Sequence, residues 1–292
     1  MHNLVWILCG GCVLLGSPVQ AGEFPAAGFR RQVVEATHRF EGTGSTATAF
    51  LVTDSSGDEP VDAEATEATK SPIYLITAAH VVEKMQGESA KLLLRKVVEG
   101  VTSRQPIEVR IRDGDRSLWK KHPEHDVAVL SFEGPREDVH PLPVTALADW
   151  EVWEKGGWEP GSLLWSVGYP HAGQFDPEPS SYPLVRLGCL ATHPATTTPQ
   201  RPLFLAEYNT FEGDSGGPVV AGSGDERHPG WILGLVHGQH FLNETYRLRY
   251  EEGTIRKRLG CAITIASPVI LETMDMLDAA RAVPEAERPP TN

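Results

Sequence analysis

Short apolar segments, separated by glycine, proline and charged residues, dominate the pattern of hydrophobic and polar positions along the chain. Twelve of these segments are rich in Val, Ile, Leu and Thr, and their lengths suit strands better than helices. The predicted strands are Gln32–Phe40, Thr46–Thr53, Ile73–Thr77, Lys91–Val98, Ile107–Asp113, Val127–Phe132, Leu163–Gly168, Leu184–Ala191, Leu203–Tyr208, Pro218–Val220, Trp231–His237 and Gly260–Ala266. Helical spacing occurs only in Pro268–Ala282. The pattern predicts an all-β fold with a C-terminal helix.

The twelve predicted strands divide into two groups of six, separated by the charged, turn-rich segment Glu133–Pro143. Closing a sheet into a barrel removes the exposed edges that many short strands would otherwise leave. Six strands on each side of the divide therefore predict two barrels, one over residues 22–137 and one over 138–267. The helix would follow over 268–282, and the polar residues 283–292 would form a disordered tail.

The beginning of the chain has the features of a signal peptide. The apolar run Leu4–Leu15 contains 12 residues, which is short of the ~20 that a transmembrane helix needs. Val19-Gln20-Ala21 follows as a small-residue cleavage site. We expect residues 1–21 to be removed and the mature chain to be secreted or periplasmic, with no transmembrane segment. A non-cleaved anchor and a buried strand are the alternatives.

Composition and charge narrow the classes of partner. The chain has 292 residues, 40% apolar and 22% charged, and a net charge of −13. A strongly negative surface repels nucleic acid, so we expect none as a partner. Cys189 and Cys261 remain after the signal peptide and could pair, but sequence does not give their separation. Their spacing is not that of a metal site, and composition leaves the oligomeric state open.

The segment Gly213-Asp214-Ser215-Gly216-Gly217-Pro218 contains the strongest chemical signal. A serine in a tight turn between glycines exposes its hydroxyl, and glycine tolerates the backbone angles that such a turn requires. The N–H groups of Gly213 and Ser215 can then converge on one point and form an oxyanion hole. A glycine-rich turn without chemistry is the alternative for this segment taken alone.

A serine hydroxyl needs a base to become a nucleophile, and the base needs a group that fixes its tautomer. His80 ends the apolar segment IYLITAAH, so we expect a strand to present its imidazole. Asp126 immediately precedes the apolar strand VAVL and would be carried partly into the core. Each residue alone would more often be structural, a satisfied histidine or a turn aspartate. Their order along the chain with Ser215 favours a catalytic role for both residues over a structural one.

In that order, TAAH, HDVAVL and GDSGGP resemble the trypsin/chymotrypsin-like serine peptidase family, including its bacterial members. The resemblance implies two six-stranded Greek-key barrels and a serine endopeptidase with protein or peptide substrates, needing no metal or organic cofactor. It makes His80 the general base, Asp126 its orienter and Ser215 the nucleophile, with Gly213 and Ser215 as oxyanion donors. A catalytically silent, peptide-binding relative is the alternative. An esterase is disfavoured, because the nucleophile motif is not Gly-x-Ser-x-Gly.

The chain also departs from the family, in its activation and in its substrate pocket. It has no Ile-Val-Gly-Gly-like start, so we expect a cation or amides from within the chain to hold Asp214. By the resemblance, Asn209 would form the pocket floor, which does not indicate a preference for Lys or Arg. Thr210 resembles a threonine of glutamyl endopeptidases, and His237 either joins this pocket or lies near Asp126. An acidic preference stays open.

Overall fold

The computed structural model describes residues 27–54, 71–99, 101–173, 182–222 and 230–282. The predicted signal peptide, 1–21, and the predicted tail, 283–292, lie outside the described residues. Within these ranges most residues are in strands, helices are few, and a helix ends the described chain. The all-β prediction with a C-terminal helix is confirmed.

The N-terminal half forms an eight-stranded sheet and a separate two-stranded one, β6–β7. Along the main sheet the order is β5-β4-β1-β2-β3-β9-β8, and β10 pairs with β2. In the described residues this path does not close, in contrast to the predicted first barrel. The strands are β1 (Thr37–Thr43), β2 (Ser45–Thr53), β3 (Ile73–Thr77), β4 (Gln86–Val98), β5 (Val101–Arg110), β6 (Arg112–Asp113), β7 (Arg116–Ser117), β8 (Lys120–Lys121), β9 (Ala128–Ser131) and β10 (Leu142–Pro143).

The C-terminal half is the closed six-stranded barrel that the strand pattern predicts. Its hydrogen-bonded order is β11-β12-β13-β16-β15-β14. The strands are β11 (Leu163–Gly168), β12 (Leu184–Leu190), β13 (Leu203–Glu207), β14 (Pro218–Ala221), β15 (Trp231–Leu248) and β16 (Glu251–Ala266). The domain boundary expected within Glu133–Pro143 stays a prediction, and the end of that segment pairs with β2 of the N-terminal sheet.

The segment predicted as the first strand is partly helical. Residues Ala27–Ala36 form α1, and the strand starts only at Thr37. The helix buries Phe29, Val33 and Ala36, which lie on one face at helical spacing. Arg95, from β4, donates to the carbonyl oxygens of Val34 and Glu35 near the end of the helix. These contacts supply partners for carbonyls that the last helical turn leaves unpaired.

Three further α-helices follow in the described residues: α2 (Ala79–Lys84), α3 (Trp150–Lys155) and α4 (Ser267–Ala282). Helix α4 matches its prediction within a residue and is fixed at both ends. The Ser267 hydroxyl donates to the Ala148 carbonyl at 2.6 Å, and the Tyr74 hydroxyl donates to Asp278 at 2.6 Å. Since Tyr74 belongs to β3, α4 ties the end of the chain to the N-terminal sheet.

Strands β15 and β16 run well beyond their predicted limits, at His237 and Gly260. Their pairing is irregular between Gln239 and Phe241, and beyond this point it continues from Phe241↔Arg258 to Leu248↔Glu251. We call residues 241–258 the hairpin arm. Its residues are mostly exposed and polar, so they lack the apolar alternation by which a half-buried strand is recognised.

Apolar packing continues between the two halves of the chain. One cluster of buried side chains includes Phe50 and Leu75 of the N-terminal sheet, Leu235 of the barrel, and Ile270 and Met274 of α4. The C-terminal barrel also has its own core around Trp153 and Phe204. Buried apolar side chains therefore support the loops and strand ends where the two halves meet. None of the described helices has the length and apolar character to cross a membrane.

Cys189 and Cys261 are both free thiols. Their two strands lie on opposite sides of β13, because Glu207 pairs with Cys189 on one side and with Cys261 on the other. Two strand spacings separate the cysteines by about 10 Å, beyond the reach of a disulfide. Cys189 and Cys261 therefore do not form the disulfide that the sequence left open.

Burial of His38 in β1 predicts a loss of stability in mild acid. Burial, with the positive charge of Arg95, holds the pKa of His38 well below its ordinary value of 6.5. As pH falls below 6.5, the unfolded chain therefore takes up a proton that the folded chain does not. The free energy of unfolding should fall by up to ~1.4 kcal/mol per pH unit there. Urea unfolding between pH 7 and 5 should show a weaker pH dependence in His38→Leu, whereas the control His240→Gln, at an exposed site, should keep the wild-type slope.

Candidate active site

His80 lies at the start of α2, three residues after the end of β3. The sequence suggested that the strand itself would present the imidazole. Instead, the buried strand fixes Thr77, and the first turn of α2 presents His80 with its side chain about one-third exposed. A rigid strand still sets the position of the ring, but a helical turn sets its direction.

Asp126, in the loop before β9, holds His80 at two points. Its Oδ1 accepts the backbone N–H of His80 at 2.6 Å, and its Oδ2 lies 2.5 Å from His80 Nδ1. Burial alone would raise the pKa of Asp126, but the hydrogen bonds from His237 and His80 outweigh it and hold that pKa well below its usual value. Asp126 is therefore a carboxylate at neutral pH, and His80 carries its proton on Nδ1.

His237 contacts the same carboxylate oxygen. Its Nδ1 lies 2.5 Å from Asp126 Oδ2, and its ring stands nearly perpendicular to that of His80. Since a carboxylate only accepts hydrogen bonds, both histidines must donate from Nδ1. Of the two placements that the sequence left open, the structure shows His237 beside Asp126.

The turn around Ser215 has two backbone donors without acceptors. In the described part of the chain, neither the Gly213 N–H nor the Ser215 N–H makes a hydrogen bond. The carbonyls of the same two residues are both fixed by Thr48 of β2, through its hydroxyl to Gly213 at 2.7 Å and its N–H to Ser215 at 3.1 Å. Thr48 thereby orients the turn while leaving the two N–H groups available to a ligand.

Two glycines let the turn pack against its neighbours. Gly213 has φ +97°, and a Cβ atom there would lie 2.2 Å from the carbonyl oxygen of Tyr169. Gly216 has φ +87°, and a Cβ atom there would lie 2.2 Å from Thr77 Oγ1. Thr77 is three residues from His80, so the close approach at Gly216 sets Ser215 beside the segment that presents the histidine. The Ser215 hydroxyl, partly exposed, makes no hydrogen bond to any residue that the structure describes.

Asp214 is fully buried beneath this turn and is held from within the chain, as expected. The guanidinium of Arg186 in β12 lies 2.6 Å from its Oδ1, and the Phe211 N–H donates to its Oδ2 at 2.7 Å. Arg186 and Asp214 are therefore a close ion pair of opposite charges within the C-terminal half. Burial raises the pKa of Asp214, and Arg186 is the strongest influence that opposes this.

Replacing Arg186 by methionine should destabilise the protein by about 3–5 kcal/mol, because a buried carboxylate would lose its cation. The double variant Arg186→Met with Asp214→Asn should recover much of this loss, since it buries no unpaired charge. Chemical denaturation of the wild type, both single variants and the double variant gives the coupling energy. A control at exposed Arg201 should change stability little. Equal loss in the double variant and in Arg186→Met would show that the ion pair is not the cause.

The predicted pocket residues Asn209 and Thr210 follow β13. Asn209 is exposed, and its Oδ1 lies 3.7 Å from where a Cβ on Gly260 would stand. Thr210 is buried, and its hydroxyl has no partner within the described residues. Of the predicted pocket residues, Asn209 therefore lies near Gly260, whereas His237 is hydrogen-bonded to Asp126.

Three groups lie close enough to be considered as metal ligands. The Nδ1 atoms of His80 and His237 and the Asp126 carboxylate are within 4.8 Å of one another. Ligands about 2.0–2.1 Å from a tetrahedral zinc ion stand roughly 3.3 Å apart. The 2.5 Å separations around Asp126 Oδ2 are shorter than this and fit shared hydrogens. As placed, the cluster is a hydrogen-bonded array.

Sequence reasoning did not find Thr48 or Arg186. Thr48 is one of three threonines in β2, and nothing local distinguishes it from a structural threonine. Arg186 carries the only charge in LVRLGCL, a signal that something within the barrel needs a cation. Its partner, Asp214, is distant in sequence, so only the fold reveals the pair.

Comparison with known proteins agrees with this geometry. No curated protein matches the chain. The family model described as trypsin-like peptidase domain matches residues 47–225, more than half of the chain and a span that includes His80, Asp126 and Ser215. On this match, and with a closed barrel, the chain belongs to the trypsin-like peptidase family.

Proposed function

We propose that this protein is a serine endopeptidase that hydrolyses peptide bonds through Ser215, His80 and Asp126. The observation that carries the proposal is one arrangement: a carboxylate-bound histidine near a serine turn with two N–H groups that no described residue occupies. A carboxylate fixes the tautomer of the histidine, and free donors bind an oxyanion.

The tautomer of His80 determines the direction of proton transfer. Because Nδ1–H donates to Asp126, Nε2 has a lone pair that can accept the proton of Ser215. Ser215 Oγ then attacks the carbonyl carbon of the substrate, and the imidazolium that forms is stabilised by the carboxylate beside it. His237 donates to the same oxygen and fixes the position of Asp126.

The remaining steps use the same groups. The negative charge on the substrate oxygen is stabilised by the N–H groups of Gly213 and Ser215. When the tetrahedral intermediate collapses, His80 gives its proton to the leaving amine, and an acyl group remains on Ser215. His80 then takes a proton from water, which attacks the ester and releases the acid. As the acyl group leaves, His80 gives the proton from water to Ser215 Oγ, so both residues return to their starting state.

A fluorophosphonate probe tests the proposal without knowledge of the substrate, since it reacts with activated serines. We expect the purified wild type to be labelled on Ser215, and Ser103→Ala, an exposed serine of β5, to be labelled equally. Ser215→Ala and His80→Ala should not be labelled. A wild type that folds, resists the probe and binds peptides would identify the silent peptide-binding relative instead.

Export belongs to the same proposal and rests on the sequence of residues 1–21. Cleavage after Ala21 would give a mature chain starting near Gly22, in a secreted or periplasmic location. Amino-terminal sequencing of the protein from cell fractions of its native host measures both points. Recovery of the chain with Met1 from the cytoplasm would contradict export and leave the peptidase assignment untouched.

A further inference from the structure

The hairpin arm, residues 241–258, is a basic element in an acidic protein. It contains five arginine or lysine residues and three glutamates, whereas the whole chain has a net charge of −13. Three of the basic residues are consecutive, Arg256-Lys257-Arg258. Since side chains alternate between the faces of a strand, the two arginines lie on one face and Lys257 on the other.

The two arginines are stacked on aromatic rings. Arg258 lies over the ring of Phe211, 4.5 Å from its centroid, and Arg256 lies over the ring of Phe241 at 3.5 Å. Phe241 is in turn the cross-strand partner of Arg258. The four residues thus form one row, which we call the arginine ladder: Arg256, Phe241, Arg258 and Phe211.

Neither ladder arginine is neutralised. Within the described residues, Arg256 and Arg258 form no ion pair with a carboxylate, although both are exposed. Their neighbours differ in this respect. Lys257 pairs with Glu244 on the opposite face, and Arg247, further along the arm, pairs with Glu252. The arm therefore neutralises Lys257 and Arg247, whereas the two ladder charges have no carboxylate partner within the described residues.

The inner end of the ladder is part of the site already described. The Phe211 N–H donates to Asp214, the residue next to Ser215. Two residues beyond Arg258, Gly260 faces the amide oxygen of Asn209. Arg258 therefore stacks on a residue that is four positions before Ser215 in the chain, and Arg256 lies one step further along the arm.

We propose that the arginine ladder is a substrate-binding subsite that takes the carboxylate side chains of aspartate or glutamate flanking the bond to be cleaved. This inference rests on the proposed function and names its substrate class. A guanidinium binds a carboxylate through paired N–H donors, and stacking on a ring restricts it beforehand, which lowers the entropic cost of binding. The negative charge elsewhere on the protein repels acidic chains, so the ladder is where such a chain gains attraction.

Binding to Ser215→Ala tests the ladder independently of catalysis. The probes are two short fluorescein-labelled peptides of the same sequence, with glutamate at alternate positions in one and glutamine in the other, followed by fluorescence anisotropy. We expect the glutamate peptide to bind about fivefold more tightly, and added salt to reduce this ratio. Adding Arg256→Gln and Arg258→Gln should abolish the preference. Lysine at both positions should retain part of it.

Lys257→Gln is the matched control, because it removes the same charge from the same strand but from the opposite face. It should leave the ratio between the two peptides unchanged. An equal affinity for both peptides in Ser215→Ala, a preference that survives loss of both arginines, or an equal loss in Lys257→Gln would each overturn the proposal. Fluorophosphonate labelling reports on the peptidase assignment separately: labelling without an acidic preference rejects the ladder alone, and a preference without labelling rejects the catalytic assignment alone.

Discussion

Replacing Ser215 by alanine is expected to lower kcat for peptide hydrolysis by about 10⁶-fold, and His80→Ala by a similar factor. The nucleophile and its base act as one unit, because Ser215 cannot attack while it holds its proton and His80 is the base that accepts that proton. The measurement is hydrolysis of a peptide library, or of casein, by each purified variant.

The double variant separates a shared role from two independent ones. Ser215→Ala combined with His80→Ala should be no slower than either single variant, and Ser103→Ala should retain wild-type rates. A His80→Ala variant that loses only tenfold would show that another base serves Ser215. The histidine to test next would be His237, which lies on the other side of the Asp126 carboxylate.

Local sequence pattern predicted most of the barrel strands within a residue or two, because each alternates or runs apolar between turn residues. Strands β3 and β11 match their predicted limits at both ends. Such segments are buried on at least one side, so the pattern directly reflects the packing that holds them. The same is true of α4, whose apolar residues have helical spacing and are buried.

Two of the differences from prediction have separate causes. Residues Gln32–Ala36 are apolar enough for a strand, and what makes them helical is the burial of Phe29 and Val33 together with hydrogen bonds from Arg95, distant in sequence. The hairpin arm pairs its backbone while exposing most of its side chains, so its hydrophobic pattern carries little signal. The local hydrophobic pattern predicts neither a helix that is stabilised by a distant residue nor a polar hairpin.

The candidate site divides in a similar way. Short motifs identified His80, Asp126 and the turn at Ser215, since each lies at a fixed place beside a strand. Thr48 and Arg186, which position them, come from other strands and have no motif of their own, and for His237 the sequence left two placements open that only the structure decides. Sequence can therefore name the reacting groups, whereas the fold is needed to find what orients them.

Asp126 is the residue at which a single substitution should most disturb the orientation of His80. Its Oδ1 accepts from the backbone N–H of His80, which can only donate, and its Oδ2 accepts from the Nδ1 atoms of His80 and His237. In Asp126→Asn, an amide oxygen at the first position would turn the NH₂ group toward both histidines. His80 would then have to accept a hydrogen bond at Nδ1, so its own proton would lie on Nε2. A protonated Nε2 cannot take the proton of Ser215. In the opposite amide orientation, the NH₂ group would face the backbone N–H of His80, so that two hydrogen-bond donors would stand opposite each other.

Asp126→Asn is accordingly expected to lower kcat at neutral pH by about 10⁴-fold while KM changes little, because the wrong tautomer removes the base but not the contacts that bind the substrate. His237→Ala is the matched comparison: it removes one donor to Asp126 but leaves His80 in the correct tautomer, so we expect a loss of only about tenfold. Steady-state kinetics of both variants, with ¹⁵N NMR of the histidine rings, gives rate and tautomer together. If Asp126→Asn kept the Nδ1 proton of His80 and still lost activity, misplacement of the ring rather than its tautomer would be the cause, and the role assigned to Asp126 would be wrong.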